Sequence, residues 1–221
     1  KRYEVYIMNS ESIYFPKRLT IYLTGMILVS FGIVLCKKCG LGISPISSIP
    51  FVLEDILPLS FGTLTMLYHL VNILLQMIVS GKITKKILLQ IPIAIIFGQI
   101  IDFFQKLLTY NADTILLQLV SLILSVIFTA LGMVFMINMH LVQNPPDGFV
   151  HLISKKTGKE LGQVKILYDI SCVMISLIIG FVCLHHMKGF GLATIVSALT
   201  VGKLVSFINP YFTSIMFKEN H

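Results

Sequence analysis

Long apolar runs separated by short polar stretches dominate the pattern of hydrophobic positions along this chain. A helix needs about 20 apolar residues to cross the roughly 30 Å hydrocarbon core of a bilayer, and over a single run only a helix satisfies its own backbone polar groups there. Six runs approach or exceed this length, and they cover residues 19–36, 62–79, 87–108, 114–136, 162–184 and 190–207. The sequence therefore predicts an all-α polytopic membrane protein with six transmembrane helices.

The composition of the chain agrees with this pattern. Of its 221 residues, 56% are hydrophobic and only 12% are charged. Soluble domains contain roughly 45 to 50% apolar residues and about 25% charged ones. The bilayer is therefore the first predicted partner of the chain.

The basic residues lie mostly in segments that would share one side of the membrane. That side would hold Lys1, Arg2, Lys17, Arg18, Lys82, Lys85, Lys86, Lys155, Lys156, Lys159, Lys165 and Lys218. The other side would hold Lys37, Lys38, Lys106 and Lys188. Because positive loops stay in the cytosol, this distribution predicts that both termini are cytosolic. It also explains the net charge of +7 without a nucleic-acid partner.

The two halves of the chain resemble each other when residue n is placed over residue n+100. FGIVLCKKCGLGISP then lies over LGMVFMINMHLVQNP, and GTLTMLYHL lies over GQVKILYDI. With an offset of 104, AIIFGQIIDFF lies over ALTVGKLVSFI. The recurring glycine, proline and tyrosine positions indicate an internal repeat. The matched identities include Gly32 with Gly132, Pro45 with Pro145, Gly62 with Gly162, Tyr68 with Tyr168, Ala94 with Ala198 and Gly98 with Gly202.

We therefore expect two repeats of three spans each, residues 19–108 and 109–208, between cytosolic segments 1–18 and 209–221. Because each repeat has an odd number of spans, the second enters the membrane from the side opposite to the first. Inverted repeats are a common build of secondary transporters, whose substrate sites lie near the midplane where the repeats meet.

Each repeat also predicts a short helix after its first span. Ser44-Pro45 and Asn144-Pro145-Pro146 have the form of an N-cap residue followed by proline in the first turn. Helices of about 12 to 15 residues would follow, and at about 1.5 Å per residue they are too short to cross the membrane. The pattern leaves open whether they lie along the interface or re-enter the membrane.

The runs GISPISSIP and PPDGF…ISKKTGK…GQVKILYD resemble those of the YczE family of bacterial integral membrane proteins, and more loosely those of the YitT family. The resemblance covers most of the chain, from Leu19 to Phe207. It implies a multi-pass protein of the bacterial plasma membrane. It carries over no catalytic or binding residue, so function has to be argued from this chain.

Two polar dipeptides occupy matching places in the second and fifth spans, Tyr68-His69 and Tyr168-Asp169. Ionisable groups inside a membrane are costly and usually face a cavity or a partner. His69 can change its charge near neutral pH and Asp169 can carry a proton when desolvated, so the pair could couple proton movement to a solute. The alternative is structural: His69 hydrogen-bonds a neighbouring helix, and Asp169 pairs with Lys165 one turn earlier.

Asn72 and Gln76 extend a polar stripe from His69 down the second span, because they follow it by three and seven residues. Such a stripe can line a water-filled path. It can equally supply the hydrogen bonds that join helices in membrane bundles.

Four further polar residues complete the predicted solute- or ion-binding set. Gln99 is the repeat partner of Lys203, and Asp102 lies one turn beyond Gln99, where pairing with Lys106 is the alternative. Lys203 itself fits a side chain that snorkels to the cytosolic surface.

Asn144 and Asp147 lie at the start of the second short helix, where backbone amides could meet an anionic group. The alternative role for Asn144 is to cap this helix.

Signatures of catalysis and metal binding are missing from the sequence. It has no HExxH, no GxSxG and no P-loop. His185-His186 is a single pair, and the four cysteines, Cys36, Cys39, Cys172 and Cys183, fit ordinary membrane cysteines. We therefore predict no enzymatic activity, no cofactor and no metal site.

These observations predict a secondary transporter or facilitator of a small solute, with its site between the two repeats and with proton coupling left open. The alternative from another class is a non-transporting membrane subunit or regulator that acts through a protein partner. An aquaporin-like channel ranks lower: Asn144-Pro145 resembles half of that family's signature, but the first copy has Ser44-Pro45 and neither is followed by alanine. The sequence leaves the oligomeric state open, including a homo-oligomer.

Overall fold

The computed structural model describes residues 14–186 and 188–217. Helices make up most of this part of the chain, which contains no strand. The six predicted spans are confirmed as helices long and apolar enough to cross a membrane. They are α1 (Phe15–Lys38), α3 (Phe61–Ser80), α5 (Gln90–Leu107) preceded by the single turn α4 (Lys85–Leu88), α6 (Ile115–Met139), α8 (Leu161–Ile179) and α9 (Leu192–Phe217). The two predicted short helices are a 3₁₀ turn (Pro45–Ser47) that continues as α2 (Ser48–Leu53), and α7 (Pro145–Thr157).

The last two spans differ in detail from the pattern in the sequence. A π-helical turn, Gly180–Leu184, extends α8. The final helix runs past residue 207 to Phe217 and contains Pro210, so the predicted C-terminal segment begins inside a helix. The aromatic ring of Phe212, which follows this proline, packs 4.7 Å from that of Phe135 on α6. This contact packs the last part of α9 against α6. Residues 1–13 and 218–221 of the predicted terminal segments lie outside the described residues.

The first and fourth spans form the most extensive helix pair, and they run antiparallel. A Cβ atom on Gly25 would lie 2.7 Å from the carbonyl oxygen of Gly132, and one on Gly32 would lie 2.8 Å from that of Ser125. The backbones of α1 and α6 therefore touch at two levels, which only small residues allow. We call the end of the bundle where α1 begins the near end, and the end where α1 finishes the far end.

The remaining helices pack between the two halves of the chain in matching ways. Helix α2 of the first half packs against α8 of the second, and α7 of the second half packs against α3 of the first. Helix α5 contacts α1 and α3, whereas α9 contacts α6. The main buried cluster includes Tyr22, Met26, Ile43, Phe61, Phe97, Ile101 and Met139.

Both short helices begin inside the bundle. At the start of α2, the hydroxyl of Ser48 donates to the carbonyl oxygen of Cys172 in α8 at 3.2 Å. At the start of α7, the carbonyl oxygen of Pro145 accepts from the side-chain amide of Gln76 in α3 at 3.0 Å. The prolines that start them, Pro45 and Pro145, are buried. Each short helix then leads outward, α2 to the far end and α7 to the near end. A helix lying wholly along the outer surface of the bundle does not fit this packing.

Candidate functional site

Four side chains from α3 and α8 meet where the two halves of the chain touch. The hydroxyl oxygens of Tyr68 and Tyr168 lie 2.5 Å apart. The hydroxyl of Tyr168 also donates to Oδ1 of Asn72 at 2.7 Å, and Sγ of Cys172 lies 3.1 Å from the hydroxyl of Tyr68. We call these four residues the central cluster.

Helix geometry explains why these residues form one cluster. Tyr68 and Asn72 are four residues apart on α3, and Tyr168 and Cys172 are four residues apart on α8, so each pair shares a helix face. Each residue also has its counterpart 100 positions away, Tyr68 with Tyr168 and Asn72 with Cys172. The contact of Tyr68 with Cys172 is therefore equivalent to the contact of Tyr168 with Asn72.

The hydrogen bonds of the central cluster have one direction. The amide nitrogen of Asn72 donates to the backbone carbonyl of Tyr68 at 2.9 Å, which fixes the amide orientation and leaves Oδ1 as an acceptor. Tyr168 has a single hydroxyl proton, which it donates to that oxygen. Tyr68 must then donate to Tyr168, and the thiol of Cys172 donates to Tyr68. The cluster is a chain of neutral donors and acceptors that ends at Asn72.

His69 and Asp169 do not join the cluster, contrary to the expectation that a shared centre would bring them together. The ring of His69 stacks on Phe97 of α5 with centroids 5.2 Å apart, and its Nδ1 is buried without a hydrogen-bond partner. Asp169 accepts from Lys165 at 2.7 Å, as the structural alternative predicted. Consecutive residues of a helix point about 100° apart, so when the tyrosines meet, the residues that follow them face elsewhere.

Gln76 lies one turn beyond Asn72 and joins a second polar contact. It exchanges two amide hydrogen bonds with Gln90 of α5, at 2.8 and 3.0 Å, in addition to its bond to Pro145. A Cβ atom on Gly148 of α7 would lie 3.0 Å from Oε1 of Gln76. The predicted stripe therefore joins three helices here, which is the alternative role of interhelical hydrogen bonding.

The start of α7 lies beside the charged residues of α8. Asp147 is 3.9 Å from the amine of Lys165, which Asp169 also contacts. The same amine lies 5.8 Å from the ring centroid of Tyr168. Lys165 therefore links the charged groups at the near end to the edge of the central cluster.

Asn144 does not cap α7 with its side chain as the sequence suggested. The two residues that follow it are Pro145 and Pro146, which have no backbone N–H to donate. Its backbone carbonyl accepts from the N–H of Gly148 at 2.8 Å instead. Ser44, at the matching place before Pro45, also makes no side-chain cap.

Gln99 and Asp102 lie apart from the central cluster. Gln99 is exposed. Asp102 accepts from the backbone N–H of Gly62 at 2.7 Å and from the hydroxyl of Ser60 at 2.5 Å. It therefore ties α5 to the start of α3 at the far end, and this tether replaces the predicted pairing with Lys106.

The far end contains a charged group that sequence reasoning missed. The amine of Lys37 contacts the carboxylate of Glu54 at 2.7 and 2.5 Å and Oε1 of Gln105 at 2.9 Å. It also lies 4.6 Å from the ring centroid of Phe61. We call Lys37, Glu54 and Gln105 the lysine clamp. It holds the end of α2 to α1 and α5.

A second ion pair lies next to the clamp. Asp55 pairs with Lys188, which follows α8, and the same amine lies 4.5 Å from the ring centroid of Phe51. The end of α2 is therefore fastened to both halves of the chain.

A groove of about 340 Å³ lies away from all of these groups, between α6 and α9. Its lining is apolar apart from Thr200, and it consists of Leu119, Leu122, Ile123, Val126, Ile127, Leu192, Val196 and Thr200. The hydroxyl of Thr200 donates to the carbonyl oxygen of Val196 in its own helix, so this surface suits lipid chains better than a polar solute.

Of the residues missed by sequence reasoning, Cys172 carried the clearest signal. It stands 100 positions after Asn72, which was in the predicted set. Gln90 and Gln105 carried no such signal, because the repeat gives them no polar counterpart in a predicted site. Glu54 contacts a lysine 17 residues away, and that pairing depends on how the intervening loop folds.

Comparisons with known proteins give one family. The model of a family of unknown function, DUF6198, matches residues 16–210 of the chain. No curated protein and no solved structure matches it. The match carries no link to the YczE or YitT families, so that resemblance stays a prediction.

Proposed function

The chain belongs to DUF6198, a family of unknown function, and from its geometry we propose that it is a secondary transporter or facilitator of a small solute. In this proposal its two halves are three-span repeats of opposite orientation. The central cluster between them is the solute site. The contact between Tyr68 and Tyr168 is the observation that carries the proposal.

Exchange of contacts between the halves supports the opposite orientation. When contact partners are each shifted by 100 positions, three sets of contacts map onto one another. These are Tyr68–Cys172 with Tyr168–Asn72, Gly25–Gly132 with Gly32–Ser125, and α2–α8 with α7–α3. A two-fold axis in the membrane plane produces this exchange, and in transporters built this way the substrate site lies on or near such an axis.

The chemistry of the central cluster favours a neutral polar solute. Its two hydroxyls, amide and thiol donate and accept hydrogen bonds without carrying charge. A buried site with unpaired charge would favour an ion, but the closest charges in sequence, Lys165 and Asp169, pair with each other. We therefore propose a small uncharged solute with its own donors and acceptors, which replaces the Tyr68–Tyr168 bond when it binds.

Basic residues support a cytosolic location of the near end. Lys203 lies in the middle of α9 and is left out of this comparison. In the described part of the chain the near end has nine other basic residues: Lys17, Arg18, Lys82, Lys85, Lys86, Lys155, Lys156, Lys159 and Lys165. The far end has Lys37, Lys38, Lys106 and Lys188. By the positive-inside rule this distribution supports cytosolic termini, and the YczE resemblance implies the bacterial plasma membrane.

Thermal stabilisation tests the proposed site and requires no assumption about which solute binds. The purified protein and its Tyr168→Phe variant are heated with a library of neutral metabolites, with ions included for comparison. A ligand at 100 times its dissociation constant contributes about 2.7 kcal/mol to the folded state, enough to detect. We expect a neutral polar compound to stabilise the wild type and to act more weakly on Tyr168→Phe. Vesicles should take up the same compound.

Tyr110→Phe is the matched control. It removes a hydroxyl that bonds Ser121 at 3.0 Å, away from the central cluster, and should leave the stabilisation unchanged. The proposal would be contradicted if Tyr168→Phe and Tyr110→Phe lost equal amounts of ligand stabilisation. It would also be contradicted if no compound in the library stabilised the folded wild type. The second outcome would favour a non-transporting subunit.

Proton coupling stays open in this proposal, and Asp169 is its candidate residue. Where uptake depends on pH, Asp169→Asn should abolish that dependence. Unchanged pH dependence would remove Asp169 from coupling.

A further inference from the structure

Two glycines bring the second and third spans of the first half into backbone contact. A Cβ atom on Gly62 of α3 would lie 2.1 Å from the carbonyl oxygen of Gly98 on α5, and one on Gly98 would lie 2.6 Å from that of Gly62. Ala94, one turn from Gly98, is completely buried. Together these small residues let the backbones of α3 and α5 come into contact.

The counterparts of these residues in the second half face open space. Gly162 on α8 is the counterpart of Gly62, and Gly202 on α9 is the counterpart of Gly98. A Cβ atom on either would meet no atom within 4 Å. Ala198, the counterpart of Ala94, is exposed. Within the described chain α9 packs against α6, and it has no comparable interface with α8. The same small-residue surfaces are thus joined in one half and apart in the other.

The matching polar residues of the two halves are covered to different extents. In the first half Phe97 of α5 stacks on His69, which is only 2% exposed. In the second half Val201 stands where Phe97 does, and the side chain of Asp169 stays 17% exposed. The gap between α8 and α9 therefore leaves the near-end side of the proposed site less covered than the opposite side.

The link between α8 and α9 has the features of a hinge. It begins with the π-helical turn Gly180–Leu184, a form of helix that is rare and often found at functional positions. It continues through Gly189, whose φ of +91° suits glycine. This link lies at the far end, whereas Gly162 lies at the near end of α8. Rotation about the link would therefore change the separation of α8 and α9 most at the near end.

We infer that α9 closes against α8 through Gly162 and Gly202, in a second conformation that repeats the packing of α3 with α5. Resting on the proposed function, this closure is the gate on the near-end side of the solute site. It covers Asp169 as Phe97 covers His69. The open state is the one that admits solute from the near end.

Packing in the first half shows that closure need not detach α9 from α6. Helix α5 contacts α3 and α1 at the same time. It is held to α1 by Gln105, whose amide oxygen accepts from Lys37. Helix α9 is held to α6 at the corresponding place, where Asn138 donates to Asn209 at 2.6 Å. This attachment can persist while the gap closes, because the closure is a relative movement in which α8 approaches α9.

Disulfide trapping tests the closure. The double variant Gly162→Cys with Gly202→Cys is oxidised in native membranes, and mass spectrometry identifies the disulfide among those of the native cysteines. A disulfide requires Cα atoms about 4.4 to 6.8 Å apart, so it forms only if the helices close. We expect an intrachain 162–202 disulfide to form severalfold faster than in the control pair Gly162→Cys with Lys203→Cys. The exposed counterpart of Lys203, Gln99, lies off the α3–α5 interface.

Three outcomes would overturn the inference: no 162–202 disulfide, equal rates in the two pairs, or a disulfide only between two chains. The last would mean that a second copy covers this surface. Since trapping requires no solute, it can fail while the transport proposal stands, and it can succeed if the protein does not transport.

The variant Gly202→Leu separates closure from folding. Its side chain meets open space in the present conformation, so the melting temperature should stay close to that of the wild type. The larger side chain should slow formation of a disulfide between α8 and α9. This rate is measured in the double variant Gly162→Cys with Val201→Cys, and again after Gly202→Leu is added to it. Trapping unaffected by the leucine would contradict close packing at Gly202.

Discussion

The hydroxyl oxygens of Tyr68 and Tyr168 lie 2.5 Å apart, although 100 positions separate the two residues in the chain. The same offset aligns the two halves of the sequence, so each tyrosine is the counterpart of the other. Two equivalent residues of a repeat meet in this way only close to the axis that relates the repeats. The Tyr68–Tyr168 contact therefore marks the place where one solute would contact both halves equally.

Removal of one tyrosine hydroxyl should destabilise the protein. In Tyr168→Phe, the buried Oδ1 of Asn72 and the hydroxyl of Tyr68 each lose a hydrogen-bond partner. We expect the free energy of unfolding in detergent to fall by about 1 kcal/mol. Tyr22→Phe is the control, because it removes a buried hydroxyl without a partner, and it should cost nothing. Equal losses in both variants would show that the hydrogen bonds of the cluster are not stabilising.

Loss of Lys37 should be more damaging than loss of Lys188. The side chains of Lys37 and Glu54 are 14% and 19% exposed, so Lys37→Met leaves a carboxylate largely buried without its cation. Such losses cost about 3 kcal/mol. Asp55, the partner of Lys188, is 39% exposed, and a pair this open contributes below about 1 kcal/mol. Chemical unfolding of Lys37→Met and Lys188→Met checks the order, and a larger loss for Lys188→Met would contradict it.

The unequal packing of matching glycines predicts unequal effects of one substitution. Gly62→Ala places a methyl group 2.1 Å from a carbonyl oxygen, and overpacking of this kind costs about 1 to 3 kcal/mol. Gly162→Ala meets open space and should be near neutral in the same thermal unfolding assay. Similar losses in both variants would mean that α8 is packed in solution as closely as α3.

The spans and the tyrosine pair could be predicted from the sequence for different reasons. Six long apolar runs give the spans because the thickness of the bilayer sets the length of a crossing helix. The repeat placed Tyr68 and Tyr168 at equivalent positions. It could not give the rotation of α3 and α8 about their axes, which decides whether the tyrosines or the residues after them meet. Without this rotation, the sequence also predicts His69 and Asp169 at the centre, where the structure has the two tyrosines.

Two features of the site could not be predicted from the repeat. The lysine clamp joins Lys37, Glu54 and Gln105 from three separate elements, so it depends on the tertiary fold. The gap between α8 and α9 separates small residues that the sequence presents in the same order as in α3 and α5. Identical patterns predict identical packing, and only the structure shows that one of the two interfaces is open.

The proposed opposite orientation of the halves predicts labelling from opposite sides of the membrane. Leu59 and Lys159 are exposed counterparts after the two short helices, at the far and near ends. Each is replaced by cysteine in turn and treated with a membrane-impermeant thiol reagent in intact cells and in inverted vesicles. We expect Leu59→Cys to react from outside the cell and Lys159→Cys from the cytosolic side. Reaction of both from one side would contradict the inverted arrangement.

The most direct test of a solute site at the central cluster is the reactivity of Cys172, whose Sγ contacts Tyr68. The other three cysteines, Cys36, Cys39 and Cys183, are replaced by alanine, and a small water-soluble methanethiosulfonate is added to vesicles. A variant that retains only the exposed Cys183 is the control for reagent activity. We predict that Cys172 reacts and that the stabilising solute protects it. A folded protein in which Cys172 stays unreactive from both sides, while Cys183 reacts, would contradict an aqueous path to the cluster and with it the proposed transport.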